Sequence, residues 1–151
     1  MKKILILYTS YHKGNTKKVV DAMKEEIPEI DIIDFIKAKE ININDYELIG
    51  FASGIYFGKQ HKKMLEYIEK EEFKDNQKCF FIATAGLPYK DYTKSGKRIL
   101  KERKIKYVKK SFQCRGYDTY GIFKNIGLSK KHPSEKDLKK AKEYIKEIAN
   151  S

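Results

Sequence analysis

The fold of this chain is decided by residues 4–16, which read ILILYTSYHKGNT. Ile4–Tyr8 is a nearly continuous apolar run, as is typical of a strand that is covered on both faces of a sheet. A polar turn that contains Gly14 follows at once. Apolar residues then recur at helical spacing, at Val19, Val20, Met23 and Ile27. The stretch therefore predicts a buried strand, a tight turn and an amphipathic helix.

The same alternation continues through the rest of the sequence. Four further apolar stretches of strand length lie at residues 30–35, 46–52, 79–83 and 107–112. Helical spacing follows the third, fourth and fifth strands, and the pattern Ser134-Glu135-Lys136-Asp137 resembles a capping box before the last helix. Repeated strand–helix alternation predicts an α/β fold with a parallel sheet and helices on both of its faces. At 151 residues, we expect one domain over residues 1–151.

The composition is strongly basic, with 33 Lys and Arg against 21 Asp and Glu and a formal net charge of +12. Such a balance predicts attraction to acidic partners. The lysines are spread along the whole chain, as expected of solvated helix faces and strand ends. Charge by itself therefore names no partner.

Two features bear on the compartment. Cys79 and Cys114 are far apart and form neither a C-x-x-C nor a metal-ligand spacing, so we expect one buried cysteine and one free thiol in a reducing environment. No apolar run approaches the roughly 20 residues that a membrane-spanning helix needs. The apolar stretch at residues 4–7 is too short for a signal peptide. The expected location is the cytoplasm, without a membrane span.

In a parallel sheet of this kind, ligands bind beyond the carboxyl ends of the strands. The loop after the first strand, residues 9–16, offers hydroxyl groups, a glycine and the free N–H groups of a helix start, which together suit a bound phosphate. It contains neither a G-x-x-x-x-G-K-[ST] P-loop nor a G-x-G-x-x-G fingerprint, which disfavours a nucleoside triphosphate or NAD. An ordinary helix-capping turn is the alternative interpretation of this loop.

The loops after the third and fourth strands carry aromatic residues next to glycines. In residues 52–59, Gly54 and Gly58 flank Tyr56 and Phe57, while residues 84–89 end in Tyr89. Flat apolar rings beside a mobile backbone suit a planar cofactor. Core aromatics at a strand end, or a surface tyrosine after a proline turn, are the alternatives.

The strand, the hydroxyl-rich turn and Gly14-Asn15-Thr16 resemble the FMN-phosphate loop of the flavodoxins. The resemblance extends over the whole chain and implies a five-stranded, doubly wound parallel sheet of order 2-1-3-4-5 with FMN as cofactor. The first loop is one residue longer than usual, with His12 and Lys13 where a threonine is common. The phosphate-loop residues that the resemblance implies are Thr9, Ser10, His12, Lys13, Gly14, Asn15 and Thr16.

The resemblance also assigns the flavin ring to the other two loops. Tyr56 or Phe57 occupies the first stacking position, and Tyr89, with Tyr92 as second choice, faces the other side of the ring. The ring-binding residues implied are Ser53, Gly54, Ile55, Tyr56, Phe57, Gly58, Thr84, Ala85, Gly86 and Tyr89. In this family the flavin brings the redox chemistry, so no catalytic side chain and no metal ligand is expected.

The function implied by the resemblance is electron transfer with FMN between redox proteins. The expected partners are acidic, ferredoxin-like proteins or a reductase, and not nucleic acid; the protein would be a monomer or a weak dimer. A flavoenzyme of the same fold, a quinone reductase or a protoporphyrinogen oxidase-like enzyme, is the alternative, because such oxidases show a similar aromatic–glycine second loop. A binding module without flavin ranks below both.

The stretch from Cys114 to Pro133 is too long for an ordinary connection. It is rich in aromatic residues and glycine, and a short helix near Phe123, a cover over the site and a docking surface are the options for it. The sequence disfavours a redox role of Cys114 beside Arg115, because no resolving cysteine is near it in the sequence.

Overall fold

The computed structural model describes residues 2–10, 14–116 and 132–151. Its elements, in chain order, are β1 (Ile4–Tyr8), α1 (Asn15–Glu26), β2 (Asp31–Asp34), β3 (Leu48–Gly54), α2 (Lys62–Lys70), β4 (Lys78–Ala85), α3 (Lys94–Glu102), β5 (Phe112–Arg115) and α4 (Glu135–Ala149). The five strands are parallel and lie in the order β2-β1-β3-β4-β5. The predicted α/β fold and strand order are confirmed.

The sheet separates two apolar cores. Successive side chains of a strand point to opposite faces; accordingly, Ile4 and Ile6 of β1 pack in the core beneath α1 and α4, whereas Leu5 and Leu7 pack in the core beneath α2 and α3. All five residues of β1 are buried. This two-sided burial explains why the strand is apolar throughout instead of alternating.

The prediction for the last strand was wrong in its bounds. Residues 107–112 were expected, but β5 is Phe112–Arg115. Tyr107 forms only an isolated bridge with Cys79, after which polar residues 109–111 leave the sheet. Regular pairing with β4 resumes at Phe112 because Phe112 and Cys114 bury their side chains in the core on one face.

Smaller boundary shifts occur in the central strands. β3 runs from Leu48 to Gly54 instead of over residues 46–52, and Tyr46 lies before it, with its hydroxyl donating to Asp31 at 2.7 Å. β4 continues two residues further than expected, to Ala85, because it pairs with both β3 and β5. Both extensions carry the strands into the loops where the ligand was expected.

Both cysteines are free, and both are buried. Burial raises the pKa of Cys79. Burial, with a contribution from Asp137, raises the pKa of Cys114 to about 12. Neither thiol is activated, which argues against the redox role considered for Cys114.

The start of α4 has the predicted capping box. The Ser134 hydroxyl accepts from the Asp137 N–H at 3.2 Å, and the Asp137 carboxylate accepts from the Ser134 N–H at 2.8 Å and is 2.6 Å from Nδ1 of His132.

Among the described residues, no helix is long and apolar enough to cross a membrane.

Candidate functional site

The first loop leads from β1 into α1 through a residue in the left-handed region. Gly14 has φ 64° and ψ 29° at the N-cap, where glycine adopts this conformation without steric cost. Gly14 has no side chain to cap the helix, and the Ser10 hydroxyl instead accepts from the Lys17 N–H at 3.1 Å. The positive end of the α1 dipole therefore lies beside this loop.

Two buried threonines connect this loop to β4. Oγ1 of Thr16 lies 3.0 Å from Oγ1 of Thr84, and both residues are nearly inaccessible to solvent. When one hydroxyl donates in such a pair, the accepting hydroxyl keeps its own hydrogen for a third group. Thr84, expected next to the flavin ring, is thus placed to orient Thr16 in the phosphate loop.

Two further features of the first loop suit a polar ligand. Oγ1 of Thr9 is buried and has no hydrogen-bond partner within the described residues, and such a group in a folded protein calls for a missing partner. Asn15 packs directly against Gly116: a Cβ placed on Gly116 would lie 2.7 Å from Nδ2 of Asn15. The Gly116 N–H donates to the Ala85 carbonyl at 2.9 Å, so the chain after β5 closes on the start of α1.

The second loop ends in a tight two-residue turn. The N–H of Tyr56 donates to the Lys59 carbonyl at 2.7 Å, and the N–H of Lys59 donates back to Tyr56 at 3.2 Å. Between them, Phe57 (φ 53°) and Gly58 (φ 79°) are both left-handed, as in a type I′ turn. The Phe57 side chain is fully exposed at the tip. Tyr56 is half-buried, with its ring edge-on to His61 at 5.6 Å, so Phe57 is the aromatic that presents a free face.

The base of the second loop is held by buried polar side chains. The Ser53 hydroxyl donates to the Gly54 carbonyl at 2.7 Å and accepts from the His61 N–H at 3.2 Å. Nε2 of Gln60 donates to the carbonyls of Phe51 at 3.2 Å and of Ile82 at 3.0 Å. Ser53, expected as a ligand, therefore supports the loop from within. Gln60 was missed, because no local pattern distinguishes it from a surface glutamine.

His61 caps α2, with Nδ1 accepting from the Lys63 N–H at 3.2 Å. Burial, and secondarily the charge of Lys63, lowers the pKa of His61. A neutral imidazole is required at this position, because a protonated Nδ1 cannot accept a hydrogen bond.

The third loop separates the two tyrosines that were candidates for the ring. Tyr92 is buried, with its hydroxyl donating to the Leu87 carbonyl at 3.2 Å. Tyr89 is 78% exposed and contacts Tyr92 edge-on at 5.9 Å. Tyr89, the first choice, is thus the one whose ring remains available, and Tyr92 supports it from below.

The second and third loops meet across the edge of the sheet. Nζ of Lys90 lies 3.9 Å from the position of a Cβ on Gly58 and 5.4 Å from the centre of the Tyr92 ring. Of the four large hydrophobic side chains that are exposed in the described residues, three lie on these loops: Phe57, Leu87 and Tyr89. Exposed aromatics concentrated at one edge indicate a binding surface.

Most of the predicted residues are therefore brought to one edge of the sheet, and a flavin mononucleotide fits them. The glycine turn and the helix start suit its phosphate, with the Thr9 hydroxyl buried behind them, and the faces of Phe57 and Tyr89 suit its ring. Ile55, Ala85 and Gly86 are partly buried between them. His12, Lys13 and residues 117–131 of the long connection lie outside the described residues. No cluster of potential metal ligands occurs in the part of the chain that is described.

Comparisons with known proteins agree with this geometry. A family model described as a flavodoxin domain matches residues 5–128. An uncharacterized protein of Methanocaldococcus jannaschii is 44% identical over 97% of each chain. Among solved structures, a flavodoxin from the domain Archaea has a TM-score of 0.70 at 15% identity, with 98% of this chain and 96% of that one covered. A Fusobacterium nucleatum flavodoxin bound to flavin mononucleotide has a TM-score of 0.65 at 20% identity, covering 99% and 98%. The chain belongs to the flavodoxin domain family.

Proposed function

We propose that this protein binds FMN at the carboxyl edge of its sheet and carries electrons between redox proteins. The observation that carries the proposal is the convergence of three loops: a glycine turn at a helix start, an exposed Phe57 and an exposed Tyr89. Membership of the flavodoxin domain family supports the same cofactor. The bound flavin would supply the redox chemistry by accepting and releasing electrons.

The phosphate would be held by the first loop. Gly14 keeps the backbone open, the start of α1 favours negative charge, and Ser10, Asn15 and Thr16 supply polar side chains. Thr9 and Thr84 act behind them, Thr84 by holding the Thr16 hydroxyl at 3.0 Å. The roles of His12 and Lys13 remain those implied by the resemblance.

The ring would lie between the second and third loops. Phe57 and Tyr89 offer faces for stacking, and the backbones of residues 54–58 and 84–86 offer N–H and carbonyl groups to the ring's polar edge. Ser53 and Gln60 fix the second loop through their bonds to backbone groups, and so limit how far Phe57 can move.

Acidic redox proteins are the partners that the charge favours. The second loop and its helix start contain Lys59, Lys62 and Lys63 and no acidic residue. Protein interfaces commonly have aromatic residues at their core and polar residues around them, and these lysines surround the exposed aromatic side chains in the same way. They would steer an acidic ferredoxin-like protein or a reductase to the flavin edge.

An enzyme with the same cofactor is the second candidate. The observation that favours it is Phe57, which projects from the site fully exposed and offers a face to a planar substrate. A quinone reductase or a protoporphyrinogen oxidase-like activity would fit this feature.

The first test is the visible spectrum of the purified protein, with FMN added if it arrives colourless. We expect flavin bands with quenched fluorescence at about one FMN per chain, and riboflavin, which lacks the phosphate, to bind more weakly. Absence of binding at high FMN concentration would contradict the proposal. Rapid turnover of the loaded protein with NAD(P)H and a quinone would favour the enzyme over the carrier.

A further inference from the structure

The positive charge of this chain is concentrated in one segment. Residues 94–110 contain nine Lys and Arg residues and one acid, Glu102, and so carry +8 of the net +12. The other 134 residues contain 24 cations and 20 acids and are close to balanced. Lysines are spread along the sequence, but acids are almost absent from α3 and the connection that follows it.

Seven of the nine cations of this segment are exposed to solvent. On α3, Lys94, Arg98 and Lys101 follow one another at spacings of four and three residues and are all exposed, so they form a stripe on one face of the helix. The opposite face is buried by Leu100 and by Gly96, which packs on Phe81.

The stripe continues beyond the helix. Lys104, Lys106, Lys109 and Lys110 are exposed on the connection between α3 and β5. Among the described strands, β5 lies at the edge of the sheet, on the side of β4 away from β3. We refer to the exposed cations from Lys94 to Lys110 as the α3 face.

Within the described residues, the exposed cations of the α3 face have no acidic partner, unlike several lysines of the other helical layer. In α1 and α4, lysines pair with acids: Lys17 with Asp21 at 2.8 Å and Lys142 with Glu25 at 3.5 Å. Within residues 94–110, the ion pair found among the described residues is the one between Lys97 and Asp91, at 3.0 Å. The α3 face thus collects repulsive charge that the other layer neutralises, and an acidic partner would relieve that repulsion.

The Lys94 end of the α3 face adjoins the edge that carries Tyr89, whereas Lys106, whose carbonyl accepts from the Cys79 N–H at the start of β4, lies at the opposite edge of the sheet. α3 begins directly after the third loop, where the carboxylate of Asp91 accepts from the Thr93 N–H at 2.8 Å and from Lys97 at 3.0 Å. Hydrogen bonds from Thr93 and Lys97 outweigh burial and lower the pKa of Asp91, so this carboxylate is ionised and already engaged. A partner on the α3 face would therefore reach the aromatic edge without meeting a free acidic group from this loop.

We propose that the α3 face is the docking surface for an acidic redox protein, which binds there while its redox centre approaches the Tyr89 edge. The inference rests on the proposed function: with FMN bound, one electron would pass from the partner's reduced centre to the flavin, and no bond would be formed or broken. A protein is favoured over nucleic acid because the exposed aromatics that would stack on bases lie on the loops and not among these cations.

The test compares two variants of equal charge. The quadruple variant K94Q/R98Q/K109Q/K110Q removes four exposed cations from the part of the α3 face nearest the Tyr89 edge. The matched control K18Q/K136Q/K139Q/K140Q removes four exposed cations from α1 and α4. Both are loaded with FMN and mixed in a stopped-flow instrument with a reduced, acidic [2Fe–2S] ferredoxin as the probe. Flavin absorbance reports the second-order rate constant as salt is raised, and midpoint potentials of both variants are measured alongside.

At about 0.02 M salt, where screening extends over roughly 20 Å, we expect the α3 variant to react about tenfold more slowly than wild type and to depend less steeply on salt concentration. The control should stay within about threefold of wild type, as expected of net charge acting at a distance. Equal slowing of both variants would overturn the proposal. So would tight binding of a single-stranded RNA that the α3 variant loses while its ferredoxin rate is unchanged. Failure of FMN to bind any of the proteins would instead contradict the proposed function.

Discussion

The two ends of the proposed flavin site are built by opposite means. At the phosphate end, the described residues are fixed by specific contacts: Thr16 to Thr84 at 3.0 Å, and Asn15 against Gly116. The ring loops are supported at their bases by Ser53, Gln60 and Tyr92, and their tips carry the exposed side chains of Phe57 and Tyr89. Substitutions should therefore be costly at the phosphate end, where groups lose buried partners, and mild at the ring end, where little is packed.

The largest effect is expected for Gly116→Ala. The added methyl group would lie 2.7 Å from Nδ2 and 3.0 Å from Cβ of Asn15, so the side chain of Asn15 must leave its position. Overpacking of this kind costs about 1–3 kcal/mol. We expect a lower unfolding free energy of the apoprotein in urea and a weaker affinity for FMN in a fluorescence titration.

Gly54→Ala is the matched control for stability. Its Cβ would meet the Tyr56 hydroxyl at 3.6 Å, an ordinary contact, so the urea midpoint should change much less than in Gly116→Ala. Equal midpoints for the two variants would show that Asn15 is not tightly packed against Gly116.

Next in size is the effect of Thr84→Val, which keeps the shape of the side chain but removes the partner of the Thr16 hydroxyl. A buried polar group left unpaired costs about 1–3 kcal/mol. We expect affinity for FMN to fall while affinity for riboflavin is nearly unchanged, because the hydroxyl serves the phosphate. Thr84→Ser, which retains the hydroxyl, should bind FMN like wild type. A parallel loss for FMN and riboflavin would mean that Thr84 supports the ring instead.

A smaller effect, with opposite signs for stability and binding, is expected for Phe57→Asn. Asn-Gly is the preferred sequence of a type I′ turn, and asparagine tolerates the left-handed backbone of residue 57 better than phenylalanine. The apoprotein should gain about 1 kcal/mol in unfolding free energy, while the affinity for FMN and for riboflavin falls through loss of a stacking face. Unchanged flavin affinity would show that Phe57 does not stack on the flavin ring.

The smallest effect concerns the pH dependence of the second loop. The pKa of His61 is lowered in the folded protein. In the unfolded chain, histidine has its ordinary pKa of about 6.5, so as the pH drops through that value the unfolded chain takes up a proton that the folded protein does not. The unfolding free energy therefore falls as the pH drops through this region. His61→Asn keeps a good helix cap without a titrating group. Melting temperatures between pH 7 and pH 5 should fall less in this variant than in wild type. An identical fall in both proteins would assign the pH dependence to other groups.

Much of the fold could be read from local sequence. The apolar run at Ile4–Tyr8 predicted the central strand, and Gly14 the turn into α1, because each pattern is satisfied within a few residues. The capping box at Ser134 was found for the same reason. The bounds of β5 were not, since Phe112 joins the sheet only through its pairing with Ile82, thirty residues earlier.

The site divides in the same way. The sequence by itself determined the three loops, their order and the residue types in them, since these follow from strand–helix alternation and turn chemistry. Tertiary structure alone decided that Thr84 bonds to Thr16, that Tyr92 is buried while Tyr89 is exposed, and that Cys114 is covered. Each of these depends on which distant segments become neighbours, and a hydrogen bond between residues 68 positions apart leaves no period in the sequence.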